Sequence, residues 1–210
     1  MMPNRGADVR KPINMGGLRG LPDILAPGLP VIFCGINPGA TAALAGRHFV
    51  SRTNRFWRVL HRAGFTPQEI DPEDDRSILR HGCGLTVAVA RPTPGANDLS
   101  RLELKRAGAA LKRKIRRYDP RVVAFLGKPA FAAITGNNAV SWGRQPELFG
   151  GAVAWVLPNP SGRNLNFSFE ALVLAYSELK AALGPIAADV NAKASRQALP
   201  ATAASTACPD

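Results

Sequence analysis

The sequence is poor in cysteine. Cys34, Cys83 and Cys208 are the only three, an odd number with no Cys-x-x-Cys spacing. That excludes a disulfide scaffold, a zinc ribbon and a Cys-ligated iron–sulfur centre. Two core thiols and one tail thiol remain, as suits a reducing cytoplasm. Apolar runs are short, and none approaches the roughly 20 residues that span a bilayer. The N-terminal stretch MMPNRGADVRKPINMGGLRG has charge but no apolar region of the kind a secretory signal needs. His48, His61 and His81 share no ligand spacing, so no metal site is expected. Phosphate-binding glycine motifs are missing too. GINPG (35–39) is not G-x-G-x-x-G, and FLGKPA (125–130) lacks the upstream glycine and the following Ser/Thr of a P-loop.

Acids are scarce as well. The 15 Asp and Glu face 27 Lys and Arg, for a net charge of +12. The positive charge is clustered: residues 47–62 carry five arginines and no acid, and residues 101–121 carry nine Lys/Arg against Glu103 and Asp119. Clustered basic charge on a chain with a sizeable core points to a polyanion such as nucleic acid.

Between its ends the chain alternates two patterns. PVIFCG (30–35), CGLTVAVA (83–90), RVVAFLG (121–127) and GAVAWVLPNP (151–160) read as buried strands. Helices are predicted over 54–64, over 66–70 with Thr66 and Glu69 as a capping box, and from Asp71-Pro72 to about His81. Further helices are predicted over 99–118 with a Ser100/Glu103 cap, over KPAFAAIT, and from Ser168 until Gly184-Pro185 stop the last one. Trp57, Trp142 and Trp155 read as packing residues. The expected fold is α/β, a three-layer α/β/α sandwich around a largely parallel central sheet. Residues 1–22 read as a flexible basic arm, 23–185 as the domain, and 186–210 as a flexible tail.

Three unusual loops follow strands: GINPG, RPTPGAND and PNPSGRN. In a parallel sheet they share the carboxyl edge, where α/β proteins bind ligands. Asn37 and Asn159 each precede a proline, which biases them to extended geometry. An amide donates and accepts hydrogen bonds without ionising. It can orient a water or read a nucleobase edge, or it can merely start a turn.

DILAPGLPVIFCGINPG, NRFW with AGF, RPT, LGK and WVLPNPSG together resemble the mismatch-specific uracil-DNA glycosylases, a branch of the uracil-DNA glycosylase superfamily, over roughly residues 22–183. The resemblance implies a monofunctional, cofactor-free and metal-free hydrolase in base excision repair. It would flip uracil opposite guanine out of the duplex and cut its N-glycosidic bond, leaving an abasic site. Asn37 matches the residue that positions the water, and Asn159 the residue that lies against the base. Phe49 falls where the family stacks an aromatic on the flipped base, with backbone groups of Ile36 and Phe49 at the base edge. Ser161, Gly162, Arg163 and Asn164 match the wedge that fills the vacated stack. The partner is double-stranded DNA; a cytoplasmic monomer with no membrane contact is expected.

The chain departs from the family in two places. Its wedge loop is one residue longer, so the wedge is Arg163 or Leu165. Ala42 stands where bacterial members carry serine and thymine-cleaving relatives carry alanine, which extends the expected substrate range to G:T or single-stranded uracil. Asp98 either assists the attacking water or caps the helix that follows. The competing reading of the whole chain is a mismatch-binding protein with little turnover.

Overall fold

The computed structural model describes residues 17–95 and 98–197. One sheet contains β1 (Val31–Gly35), β2 (Cys83–Val87), β3 (Val122–Leu126), β4 (Gly143–Phe149) and β5 (Ala152–Leu157). Its order is β2-β1-β3-β5-β4, with β4 alone antiparallel. The parallel strands are buried almost throughout, because helices cover both faces. The covering helices are α2 (Phe56–Arg62), α3 (Arg101–Tyr118), α4 (Lys128–Thr135) and α5 (Phe169–Gln197), while α1 (Ala40–Ala45) buries no residue. Phe33, Ala124 and Trp155 pack against α2 and α5. Their strand neighbours Ile32, Val123 and Phe125 point to the other face, against α3 and α4. The expected α/β/α sandwich is what forms.

α3 buries Leu104, Gly108, Leu111 and Ile115, the stripe its spacing implies. Gly108 is the point of closest approach to α4: a Cβ there would lie 2.6 Å from the Ile134 carbonyl oxygen. The helix leaves the loop after β2 and returns to the start of β3. Its last turn therefore sits at the amino edge of the sheet, where Gly28 N donates to Tyr118 O.

Several local expectations fail for physical reasons. Residues 66–70 are not helical: Thr66 Oγ1 donates forward to Gln68 O and closes a turn instead of capping. Pro72–His81 is a 3-10 segment broken at Asp74, whose φ/ψ of −108/36° lies outside the helical region. That break precedes Asp75, which is buried and bound across the chain to residue 48. α5 does not stop at Gly184-Pro185 but runs to Gln197. The Ala-rich sequence beyond favours helix strongly enough to absorb the one hydrogen bond proline removes. Residues 1–16 of the expected arm and 198–210 of the expected tail lie outside the described residues, and 186–197 is the end of α5 rather than a loose tail. Trp142 is 43% exposed rather than packed inside, with Lys128 Nζ 4.6 Å from its ring centre. β4 (GRQPELF) was not foreseen, because its polar residues and Pro146 hide the strand pattern; an antiparallel edge with an irregular register tolerates both.

Cys34 and Cys83 are buried free thiols, and burial pushes both up to about 12. Neither is poised to react. Cys208 lies outside the described residues.

Candidate active site

A cleft of about 840 Å³ opens at the carboxyl edge of the sheet. Its walls are the loops after β1, β2 and β5, together with residues 48–54. The first two loops are knit together, since Ala88 N, Val89 N and Thr93 N donate to Gly35 O, Ile36 O and Pro38 O. Asn37 stands at this seam. Its Nδ2 donates to Thr93 Oγ1 at 2.6 Å, to Arg91 O at 3.2 Å and to Pro38 O at 3.3 Å. The two carbonyls can only accept, so the amide orientation is fixed. The amino group is spent on protein, and Oδ1 remains as an acceptor. Thr93, 2% exposed, passes its own proton to Gly95 O at 2.6 Å.

Asn159 is wired the opposite way. Its Oδ1 accepts from Ser161 N at 2.9 Å, which leaves Nδ2 as a donor with no protein acceptor among the described residues. Its carbonyl accepts from Asn164 Nδ2 at 2.8 Å. Arg55 organises the rest of this loop: its guanidinium donates to the carbonyls of Pro160, Ser161, Asn164 and Phe167 at 2.8–3.3 Å. Gly162 presses against residue 53, where a Cβ would meet the Thr53 carbonyl oxygen at 2.5 Å. Ser161 Oγ accepts from Arg163 N. Arg163 Nη1 reaches over to Pro94 O at 2.7 Å and bridges two walls of the cleft. Leu165, by contrast, is 89% exposed and does not line the cleft.

Phe49 lines the cleft with its ring stacked on Phe56 at 3.9 Å. Its φ of 55° is unusual for a side chain of that size and costs of order 1 kcal/mol or more. Contacts to the preceding residue hold it there. His48 N donates to Asp75 Oδ2 at 2.9 Å, His48 O accepts from Trp57 Nε1, and His48 Nε2 donates to Pro22 O at 2.9 Å. Arg47 pairs with the buried Asp75 carboxylate at 3.3 Å. Burial holds the His48 imidazole below its ordinary value of 6.5, although the Pro22 carbonyl and Asp75 pull the other way. Ile36 and Ala42, the latter on α1, complete the wall beside Asn37.

The structure thus brings Asn37, Ile36, Ala42, Phe49, Asn159, Ser161, Gly162, Arg163 and Asn164 to one cleft. Asp98 is not part of its lining. Its Oδ2 accepts from Gly95 N at 2.8 Å, and Ser100, not Asp98, caps α3 by accepting from Glu103 N. Among the described residues, no Asp or Glu lines the cleft at all. The sequence reading gave no role to Thr93, Arg55 or Asp75, and found in His48 only the absence of a metal-ligand spacing. RPT and NRFW mark the first two in the chain; nothing local marks Asp75, whose partner is 27 positions away.

A mostly parallel α/β sheet with two asparagine amides in a cleft at its carboxyl edge, on a chain of net charge +12, defines an α/β protein with a ligand cleft where such sheets carry theirs. Residues 22–180 match the family described as "Uracil DNA glycosylase superfamily", and the chain belongs to it. Membership makes it a DNA glycosylase, a hydrolase whose partner is DNA and whose setting is DNA repair. Its fold is similar to the solution NMR structure of a candidate uracil DNA glycosylase from Methanosarcina acetivorans, at 20% identity and a TM-score of 0.51. That likeness covers 77% of this chain and 98% of the other.

Proposed function

We propose that the protein is a monofunctional mismatch-specific glycosylase that flips uracil opposite guanine into the cleft and hydrolyses its N-glycosidic bond. The observation that carries this reading is the opposite wiring of the two asparagines. Asn37 has only its acceptor left, which suits a hydrogen of the attacking water. Asn159 has only its donor left, which suits a carbonyl of the departing base. The Phe49 ring, backed by Phe56, provides a stacking surface for the base, and backbone groups of Ile36 and Phe49 meet its edge. The reaction passes through an oxocarbenium-like transition state, and negative charge grows on the base where the Asn159 donor can answer it. Leu165, bare at the loop tip, is the residue suited to fill the vacated stack, while Arg163 closes the wall beside it. The methyl side chain of Ala42 leaves room for a 5-methyl group, so thymine opposite guanine and uracil in single strands fall within the range. The protein acts as a monomer in this reading. A cytoplasmic protein acting on chromosomal DNA fits its free thiols.

The deciding experiment incubates the protein with labelled duplex carrying one G:U pair and then treats the DNA with alkali. Scission at uracil in wild type, lost in Asn37→Ala with binding retained, is expected. No release from G:T under conditions that fully cut G:U would remove thymine from the range. The absence of a carboxylate from the described cleft lining favours one other reading, a mismatch-binding protein with little turnover. A salt-sensitive gel shift without scission would establish that reading instead.

A further inference from the structure

Away from the cleft, unanswered positive charge concentrates on α3. Arg101, Lys105, Arg106, Lys112, Arg113, Arg116 and Arg117 are all exposed, and none is in an ion pair among the described residues. The single acid of the helix, Glu103, is held by Arg91 at 2.8 and 2.9 Å. Lys114 turns inward to Asp23 at 2.7 Å. Arg101–Lys105, Lys112–Arg116 and Arg113–Arg117 are like-charge pairs at i,i+4, an arrangement that weakens a helix. The macrodipole accounts for Arg116 and Arg117 in the last turn but disfavours cations in the first.

The chemistry of the face selects its partner. Five of the seven cations are Arg, whose planar fork fits phosphate. Between them stand Ala109 and Ala110, too small for the apolar centre that a protein interface needs. Leu102 is the one large exposed apolar residue on the helix, too little for insertion among lipids. The 18 residues span about 27 Å, over which duplex DNA carries a charge roughly every 1.7 Å. Direction matters as well. The last turn of α3 lies at the amino edge of the sheet, and the cleft opens at the carboxyl edge. A duplex seated over the cleft mouth therefore runs at the opposite end from Lys112, Arg113, Arg116 and Arg117.

We infer that the outer face of α3 is a second nucleic-acid site, which holds the phosphate backbone of a duplex segment separate from the one at the cleft. Such a site would let the protein hold one stretch of DNA while it samples another. It goes beyond the reading of the cleft and rests on it only in taking the cleft face to hold a duplex of its own.

The test mixes the full chain with donor- and acceptor-labelled undamaged duplexes of about 12 base pairs at low salt. Energy transfer and a sedimenting complex of one protein with two duplexes are expected. Arg113→Gln/Arg117→Gln should hold one duplex only, and its salt dependence for undamaged DNA should fall by up to about 1.8 in log–log slope. Arg113→Lys/Arg117→Lys keeps the charge and should keep the second duplex. Arg76→Gln/Arg80→Gln, a charge-matched change at exposed positions on another element, should keep it too. Circular dichroism on each variant reports that α3 is intact. Saturation of wild type at one duplex that Arg113→Gln/Arg117→Gln still holds would overturn the inference; loss of that one duplex in the variant would instead place the failure at the cleft. Equal loss in the Arg76/Arg80 variant, or capture of phosphatidylserine vesicles in preference to DNA, would also overturn the inference. Undamaged DNA is used throughout, so absence of uracil release bears on the cleft alone.

Discussion

At the scale of single residues, the site works by using up one half of each amide. A free asparagine side chain could turn either end to a ligand; here, obligate acceptors hold one and an obligate donor holds the other. Thr93 reinforces that orientation, since its hydroxyl gives the shortest contact to Asn37. Thr93→Val should lower single-turnover uracil release by roughly tenfold, the effect of one lost buried hydrogen bond. Thr93→Ser, which keeps the hydroxyl, should restore most of it; equal loss in both would point to packing of the methyl group instead. Asp98 belongs to the same chain of contacts one step further out, through the Gly95 N–H. Asp98→Asn retains an acceptor for that N–H and should cleave within about twofold of wild type in single-turnover assays. A carboxylate acting directly on water would lose far more than that on becoming an amide.

Among the elements, the loop of residues 158–167 depends most on one distant side chain. Arg55 lies just before α2, yet its guanidinium gathers four carbonyls of that loop. Lysine offers a point charge without the fork and cannot replace it. Arg55→Lys should raise amide hydrogen exchange across 160–167 while α3 and the central strands keep their protection. Cleavage in duplex DNA should fall more than cleavage in single strands, where no vacated stack has to be filled. Tyr176 secures the same loop from α5, donating to Pro158 O at 3.3 Å.

Over the whole molecule, the cleft and the stability of the fold are linked through His48. Its imidazole is buried and kept below 6.5, mainly by desolvation. Below 6.5 the unfolded chain takes up this proton and the folded protein resists it, so unfolding is favoured. Stability from this group is therefore complete above pH 6.5 and is lost as pH falls through the depressed native value. The wild-type melting temperature should drop through that window, with uracil release falling alongside as the clamp behind Phe49 loosens. His48→Gln can still donate to the Pro22 carbonyl but does not titrate, so the curve should flatten there. An unchanged slope in that variant would place the proton uptake elsewhere.

The local sequence determined the layers and the edge. Runs such as VVAFL and AVAWVL have no polar position to turn to water, so they had to become strands covered on both faces. Chain alternation then brought GINPG, RPTPG and NPSG to one side of the sheet, and the two Asn-Pro pairs announced where rigid amides would stand. Only the tertiary structure decided what those amides could do. Which end of Asn37 is spent depends on Thr93 and Arg91, 56 and 54 positions away, and the wall that carries Phe49 depends on Asp75. Asp98 offered either help to the water or a helix cap because it ends a loop that reaches the cleft; the fold gives it neither place and turns its carboxylate to the loop's own backbone. Such contacts join side chains that have no periodicity or spacing in common. They become legible only when the sheet has set their loops side by side.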